Sequence, residues 1–203
     1  MFTGIVQGQA EITRIEKHSG LHRFEVRFPP GSLEGITIGA SVALNGACLT
    51  VVSHQGDQLV FDIMMETLRC TTLADRQAGD RVNFERAARI GDEIGGHLLS
   101  GHVHTVARVA TVETPENNRR ITFEVPEQWM PYVIPKGYIA IDGASLTIGE
   151  VESNRFSVYL IPETLRVTHF GQLEPGDSVN IEIDSQTQTI VDTLARLGYT
   201  PQK

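Results

Sequence analysis

The sequence repeats itself at a fixed spacing of 97 residues. Three pairs of segments show the offset without gaps: residues 46–50 with 143–147, residues 66–69 with 163–166, and residues 79–85 with 176–182. Similarity at one constant register marks a tandem duplication, so the chain is expected to contain two copies of one small fold. The copies are predicted at residues 1–97 and 98–186, and a tail at residues 187–203 belongs to neither.

Each copy reads as a series of short strands. In the first copy, runs of β-branched, aliphatic and aromatic residues at 24–28, 41–44, 49–52 and 59–63 are separated by turn residues. The dipeptide Asn45-Gly46 and its match Asp142-Gly143 are strong signals for a hairpin turn. A small barrel leaves no long sheet edge exposed. We therefore predict an all-β protein of two tandem homologous six-stranded Greek-key β-barrels plus a C-terminal α-helix.

The tail has a helical pattern instead. Ile190, Val191, Leu194 and Leu197 fall at helical spacing, with Ser185 as the predicted N-terminal cap and Gly198 as the predicted stop. A helix this short needs a surface to pack against. It could lie on its own barrel, or it could meet copies of itself in an oligomer.

The overall charge narrows the choice of partners and compartment. The 17 Lys and Arg residues are outnumbered by 25 Asp and Glu residues, and no basic run stands out. A nucleic-acid partner is therefore not expected. The first ten residues lack the features of a signal peptide, and no apolar run approaches membrane-spanning length, so a cytoplasmic protein without a membrane partner is predicted. Cys48 and Cys70 are too few for a disulfide framework.

The sequence does not match the common catalytic signatures. His97, His102 and His104 cluster in the sequence, but no third type of metal ligand is suitably spaced, and the first copy lacks matching histidines. Ser145 is not flanked by the glycines of a hydrolase nucleophile elbow. No glycine-rich phosphate loop is present. Neither a metal nor a cofactor is expected.

Six blocks, in their order and spacing, resemble the riboflavin synthase family: residues 1–6, 46–51, 66–72, 83–87, 95–103 and 161–165. The resemblance covers essentially the whole chain. It implies an enzyme that moves a four-carbon unit between two molecules of 6,7-dimethyl-8-ribityllumazine, giving riboflavin and 5-amino-6-ribitylamino-pyrimidinedione. It also implies a homotrimer with each active site between the first barrel of one subunit and the second barrel of its neighbour. Association with lumazine synthase is a further expectation.

The resemblance also implies two matched sets of substrate-binding residues. The first-barrel set is Gly4, Ile5, Val6, Cys48, Leu49, Thr50, Asp62, Ile63, Met64, Met65, Glu66 and Thr67. The second-barrel set is Gly101, His102, Val103, Lys136, Ser145, Leu146, Thr147, Tyr159, Leu160, Ile161, Pro162, Glu163 and Thr164. Apart from Lys136, each member of one set lies 97 positions from a member of the other. The apolar members would serve equally well as barrel core.

Residues that differ between the copies are the catalytic candidates, because the two lumazines play different roles. The polar differences near the motifs are Cys48 with Ser145, Ile5 with His102, Ser41 with Tyr138, and Ala87 with Asp184. From these we predict Cys48, Ser41, His102, Ser145 and Asp184 as catalytic residues. His102 and Asp184 would transfer protons, and the other three would orient a ring or a nucleophilic water.

Two other functions fit the same resemblance. A carrier that binds lumazine or flavin without turnover could use the same fold, as could a trimer with a purely structural role. The presence of Cys48, His102 and Ser145 favours the enzyme. The sequence departs from the family pattern at His169 and Phe170, at the edge of the second site.

Overall fold

The first copy of the repeat folds as a closed barrel. The computed structural model describes residues 1–116 and 118–199. The six strands of the barrel are β1 (Gly8–His18), β2 (Leu21–Arg27), β3 (Ser41–Leu44), β4 (Ala47–Gln55), β5 (Gln58–Met64) and β6 (Arg81–Arg86). They pair in the order β1-β2-β5-β4-β3-β6. Strands β3, β4 and β5 follow one another while β2 lies beside β5, which is the predicted Greek-key arrangement. Helix α1 (Met65–Cys70) and a 3-10 helix (Thr72–Asp75) connect β5 to β6.

The second copy has the same plan with one interruption. Its strands are β7 (Thr105–Glu113), β8 (Arg119–Glu124), β9 (Tyr138–Ile141), β10 (Ala144–Thr147), β11 (Val151–Glu152), β12 (Arg155–Leu160) and β13 (Ser178–Ile183). They form a seven-stranded sheet in the order β10-β9-β13-β7-β8-β12-β11. Helix α2 (Pro162–Val167) and 3-10 helices at Glu127–Tyr132 and His169–Gln172 complete the unit.

The interruption lies at Gly149, which stands where the first barrel has Val52. Strands β10 and β11 together match β4, and a glycine inside a strand weakens it. The N–H of Gly149 still donates to the carbonyl of Ser157 at 2.8 Å, and the N–H of Ser157 donates to the carbonyl of Glu150 at 2.9 Å. Hydrogen bonds therefore cross the break, and if β10 and β11 are counted as one strand the second sheet has the six strands that were predicted.

The two hairpin turns meet where the copies touch. Asn45 and Gly46 have φ of 44° and 80°, and Asp142 and Gly143 have φ of 41° and 81°, as a type I′ turn requires. A Cβ atom on Gly46 would lie 2.8 Å from the backbone nitrogen of Gly143. Glycine is therefore needed here for its backbone conformation and for the close approach of the other turn.

Buried polar side chains join the copies reciprocally. The side-chain amide of Asn83 donates to the carbonyl of Asp142 at 3.1 Å, and that of Asn180 donates to the carbonyl of Asn45 at 2.8 Å. His169 belongs to this seam: its N–H donates to Oδ1 of Asn83 at 3.0 Å. The seam relates the copies by an approximate twofold axis.

The tail forms helix α3 (Ser185–Arg196). The predicted cap at Ser185 was wrong, because Asp184 is the residue before the first turn and its carboxylate accepts from the N–H of Thr187 at 2.8 Å. Gly198 follows the helix with φ of 81°, as predicted for its end. Residues 200–203 of the predicted tail lie outside the described residues.

Helix α3 touches its own subunit through polar side chains. The hydroxyl of Tyr132 donates to the carboxylate of Asp192 at 2.6 Å, and Nε2 of His104 lies 3.1 Å from the side-chain oxygen of Gln188. The side chains of Ile190 and Leu194 remain 60% and 44% exposed. Within the described residues, no helix is both long and apolar enough to cross a membrane.

Candidate active site

The segments that precede the first strand of each copy, residues 2–6 and 99–103, cross over to the opposite copy. Phe2 and Leu99 bind each other through two backbone hydrogen bonds of 2.9 Å. The carbonyl of Gly4 then accepts from the N–H of Ser145, and the carbonyl of Gly101 accepts from the N–H of Cys48, both at 2.8 Å. The first segment therefore lies on the second unit, and the reverse holds for the second segment.

This exchange corrects the grouping of the predicted substrate-binding residues. Gly4, Ile5 and Val6 were placed in the first-barrel set, but Val6 packs into the hydrophobic core of the second unit. Gly101, His102 and Val103 were placed in the second-barrel set, but Val103 packs against the core of the first. The repeat alone could not reveal the exchange, because it aligns each segment with its match and does not show which unit the segment contacts.

Glycines allow the exchanged segments to come so close. Gly4 and Gly101 have φ of 74° and 81°, which is the left-handed region. A Cβ atom on Gly4 would lie 2.5 Å from Cβ of Ser145, and one on Gly101 would lie 2.5 Å from Cβ of Cys48. Any side chain at either position would force the segment away from the site residue beneath it.

Two buried carboxylates hold the exchanged segments in place. Glu85 accepts from the N–H of Thr3 at 2.6 Å and from the N–H of Gly4 at 3.0 Å. Its match Glu182 accepts from the N–H of Ser100 at 2.7 Å and from the N–H of Gly101 at 3.1 Å. Burial raises the pKa of Glu85, and these hydrogen bonds oppose the shift by stabilising the carboxylate.

The candidate site on the first barrel is a small cavity at Cys48. The cavity has a volume of about 210 Å3, and its walls include Cys48, Glu66 and Thr67 together with Gly101 and His102. The structure thus brings the predicted catalytic residues Cys48 and His102 to one cavity. Ser41 lies directly opposite Thr50 in the β3–β4 pair, which places its hydroxyl group on the strand next to Cys48.

The candidate site on the second unit is built around Ser145. Its side-chain oxygen lies 2.6 Å from Nδ1 of His97, a distance at which the two groups are hydrogen-bonded. The ring of His97 stacks on the ring of Tyr138, with ring centres 5.1 Å apart and planes 18° apart. A side chain at Gly96 would strike Ser145, since its Cβ atom would lie 2.6 Å from the Cβ atom of Ser145.

His97 is the site residue that sequence reasoning did not place in the site. It is only 7% exposed, and burial lowers its pKa while the charge of Asp184 partly opposes the shift. Its Nε2 atom is buried and has no hydrogen-bond partner within the described residues. In the sequence, His97 was considered only as a metal ligand together with His102 and His104. In the structure its partner is the hydroxyl of Ser145.

Lys136 and Asp184 flank the second site in different ways. Lys136 has φ of 68° and matches Gly39, whose φ is 88°. A lysine in this region is strained, and such strain concentrates at functional sites. The carboxylate of Asp184 accepts from both the N–H and the hydroxyl of Thr187 at 2.8 Å, so it also fixes the start of α3.

The predicted substrate-binding stretches flank the two sites on the outer faces of the strands and on the helices that follow. Glu66 and Glu163 each form an ion pair of 2.6 Å with the arginine three residues later, Arg69 and Arg166. Three apolar side chains here are exposed, namely Met64, Met65 and Ile161. Several members of the predicted sets are fully buried and belong to the barrel cores, namely Val6, Leu49, Ile63 and Leu160. Over residues 1–116 and 118–199, no group of three or more His, Cys, Asp or Glu side chains could hold a metal ion.

Comparison with known proteins defines the class. A family model described as the lumazine binding domain matches residues 3–87 and again residues 100–184. Both ends of the two matches lie 97 positions apart, in agreement with the repeat. The fold and its paired sites are those of a duplicated lumazine-binding protein.

Curated relatives narrow this class. The riboflavin synthase of Escherichia coli (strain K12) is 54% identical over 198 residues, which cover 97% of this chain and 93% of that protein. The riboflavin synthase of Chlamydia pneumoniae is 43% identical over 197 residues, covering 97% and 96%. The chain belongs to the riboflavin synthase family.

Solved structures of similar fold hold ligands of this kind. The crystal structure of LumP complexed with riboflavin has a TM-score of 0.85 and 30% identity, and covers 91% of this chain and 100% of the LumP chain. LumP complexed with 6,7-dimethyl-8-(1'-D-ribityl) lumazine has a TM-score of 0.83 at the same identity and coverage.

Proposed function

We propose that the chain is an enzyme that converts two molecules of 6,7-dimethyl-8-ribityllumazine into riboflavin and 5-amino-6-ribitylamino-pyrimidinedione. The observation that carries the proposal is the near-complete match to riboflavin synthases, at 54% identity over 97% of the chain. The duplicated fold supports it, because a reaction between two identical molecules needs two binding sites of one kind. No metal or redox cofactor is required, since the transfer of the four-carbon unit is balanced between the two lumazines.

Binding supplies much of the rate enhancement in this proposal. Two rings held face to face react as if in one molecule, which replaces a rare bimolecular encounter. The proposed ligand contacts are those of the two predicted sets, with the segments at Gly4 and Gly101 exchanged. Thr50 and Thr147 would bind substrate alike in both sites, because both hydroxyl groups are exposed at matched positions.

Proton transfer would differ between the sites. The reaction requires loss of a proton from a ring methyl group of one lumazine and addition of a nucleophile to the other. On the second unit, His97 is neutral at pH 7 because burial lowers its pKa, so it can accept a proton through the hydroxyl of Ser145. On the first barrel, Cys48 and His102 line the cavity and would orient the other lumazine or a nucleophilic water. Ser41 and Asp184 would support these groups from the neighbouring strand and from the start of α3.

The proposed assembly is a cytoplasmic homotrimer. Residues 1–97 would form the first lumazine-binding unit, residues 98–186 the second, and residues 187–203 an oligomerisation helix. The exposed side chains of Ile190, Leu194 and Leu197 on α3 support self-association, because a monomer would leave this apolar surface in water. Each active site would then lie between the first unit of one subunit and the second unit of its neighbour. Association with lumazine synthase, the enzyme that would supply the substrate, is proposed on the family resemblance alone.

A carrier function is the second candidate. The observation that favours it is the likeness to LumP, whose structures hold riboflavin and the ribityl lumazine. The Ser145–His97 contact favours catalysis, because a carrier has no need of a proton acceptor beside its ligand.

One assay separates the two functions. The purified chain is incubated with 6,7-dimethyl-8-ribityllumazine, and riboflavin is followed by its fluorescence. An enzyme produces riboflavin catalytically, with one pyrimidinedione released per riboflavin formed. A chain that binds the lumazine tightly and forms no riboflavin over many equivalents would establish the carrier instead.

A further inference from the structure

One arginine is present at matched positions of the two units, but its partners differ. In the first unit, Arg23 donates from Nε and Nη2 to the two carboxylate oxygens of Asp62 at 2.8 and 2.9 Å. This is a bidentate ion pair on the outer face of β2 and β5. It places a carboxylate at the first residue of the ligand-binding stretch 62–67.

The second unit has no carboxylate at that position. Tyr159 stands where the first unit has Asp62, and the guanidinium of Arg120, which matches Arg23, lies 6.0 Å from the centre of its ring. Nη1 of Arg120 donates instead to Glu113 at 2.7 Å. Arg120 also lies 3.6 Å from a carboxylate oxygen of Glu150. The arginine thus pairs with the matched carboxylate, Asp62, in the first unit, and with two other carboxylates and an aromatic face in the second.

Glu150 holds the hydroxyl group of Tyr159. The phenol donates to Oε1 of Glu150 at 2.9 Å, and the hydroxyl of Ser157 donates to the other carboxylate oxygen. These hydrogen bonds and the nearby charge of Arg120 lower the pKa of Glu150 to about 2. Glu150 is therefore a carboxylate at neutral pH, where it accepts the hydrogen bond of the phenol.

Four matched positions differ together to build this arrangement. Val52, Ser53, Val60 and Asp62 of the first unit correspond to Gly149, Glu150, Ser157 and Tyr159 of the second. A Cβ atom on Gly149 would lie 3.2 Å from Cε2 of Tyr159 and 2.7 Å from Oγ of Ser157, so a valine in this place would displace both side chains. Gly149 follows Thr147 of the second site by two residues, which places the cluster at the edge of that site.

We propose that Glu150 is a positioning residue that fixes Tyr159 to bind the polyol chain of the lumazine in the second site. In the first site, the carboxylate of Asp62, held by Arg23, binds the same part of the ligand. The proposal rests on the proposed function. The lumazine bound by LumP carries a ribityl chain, whose hydroxyl groups can donate hydrogen bonds to acceptors on the protein. Asp62 offers charged acceptors. The hydroxyl of Tyr159 already donates to Glu150, so towards the ligand it can only accept a hydrogen bond through its neutral oxygen and make contact through the edge of its ring.

The two sites therefore bind the same polyol chain with different strength. Hydrogen bonds to a carboxylate are stronger than those to a neutral oxygen. Two identical lumazines are then sorted by their side chains, which lie far from the reacting carbons. The first site would bind its ligand more tightly and the second would exchange it more readily.

The test uses the full chain with Glu150→Ala, Tyr159→Phe and the double variant. Riboflavin and 6,7-dimethyl-8-ribityllumazine are titrated to resolve two Kd values, and KM and kcat are measured separately. Each single variant should raise the weaker Kd and KM by about 10-fold and leave kcat within about twofold. The double variant should be no worse than either single variant, because Glu150 acts only through Tyr159. Glu150→Gln should recover part of the affinity, since its amide oxygen can still accept the phenol proton.

Three controls make the result specific. Glu124→Ala removes a carboxylate that also pairs with an arginine on this sheet, Arg155 at 2.8 Å, and should change neither Kd nor KM. Asp62→Asn should raise the tighter Kd instead of the weaker one. With 6,7,8-trimethyllumazine, which lacks the polyol chain, Tyr159→Phe should bind as the wild type does.

The proposal is overturned if both single variants keep wild-type Kd values, if their effects add, or if trimethyllumazine is weakened equally. A wild-type chain that forms no riboflavin would refute the proposed function, whereas an active wild type with unaffected variants refutes only the role given to Glu150 and Tyr159.

Discussion

The imidazole Nδ1 atom of His97 lies 2.6 Å from the hydroxyl oxygen of Ser145, in the site of the second unit. The first unit has Cys48, a thiol, at the position that matches Ser145. Two sites that descend from one ancestor thus differ in their capacity to move a proton. This difference is what a reaction between two identical molecules in unequal roles demands.

Ser145→Ala and His97→Gln test the pair. Each change should lower kcat by about 10²-fold or more, because a positioned proton-transfer group contributes on that scale. The double variant should be no slower than the worse single variant, since the two side chains act as one unit. Single-turnover kinetics measure the rates, and thermal melts show whether the fold is kept. Near-normal turnover in both single variants would remove the pair from the mechanism.

Stability should depend on pH through His97. Burial lowers its pKa below 6.5 in the folded chain, so the unfolded chain binds the proton more readily. The contribution of His97 to stability is therefore complete above pH 6.5 and is lost as the pH falls towards the folded pKa. Each unit of pKa difference corresponds to about 1.4 kcal/mol.

The comparison is between the wild type and His97→Gln in urea melts from pH 7.5 to 5. The wild type should lose more stability over this range than the variant, because glutamine does not titrate. Parallel curves for the two proteins would show that His97 is not held neutral by burial.

A fragment of residues 1–97 should pair with itself. In the full chain, the carbonyl of Gly101 accepts from the N–H of Cys48 and Val103 packs against the first core, and the fragment lacks both residues. Gly4 and Val6 are the matches of Gly101 and Val103. The segment that contains them in one fragment can therefore bind beside Cys48 of a second fragment, where Gly101 and Val103 bind in the full chain. Sedimentation should find a dimer that binds riboflavin. Gly4→Val should dissociate it, because a β-branched side chain suits neither the positive φ nor the close contact.

The architecture could be predicted from the sequence because the two signals for it, the hairpin turns and the repeat, can be recognised without knowing any contact between distant residues. The turns at Asn45-Gly46 and Asp142-Gly143 need only their own backbone conformation, and the repeat needs only counting. The closed sheet follows because the backbone N–H and C=O groups of an edge strand need hydrogen-bond partners, which closure provides. What the sequence did not predict is the break at Gly149, since one glycine inside a strand pattern does not say whether the ladder continues.

Site residues were harder to predict where they depend on contacts between the copies. Gly4 and Gly101 are each followed by a valine two residues later, and neither segment indicates which barrel it contacts. His97 had no predicted role in the site, because its partner Ser145 is 48 positions away. The available signal was that His97 lies within residues 95–103, one of the six blocks that resemble the family. Asp62 and Tyr159 also differ at matched positions, and this difference marks the cluster around Glu150.

Helix α3 should hold the oligomer through its apolar face. Ile190→Glu with Leu194→Glu places charges on the exposed face of the helix and leaves its capping residue Asp184 unchanged. If this face is buried between copies, the double variant should sediment as a monomer, because burying unpaired carboxylates is strongly unfavourable. Turnover should fall with the assembly, since the proposed active site needs two subunits, while each monomer should still bind riboflavin. Arg196→Glu at the end of the same helix is the matched control and should leave the assembly intact. A double variant that stays trimeric and active would place the subunit contacts elsewhere, and a fully active monomer would place both lumazines within one chain.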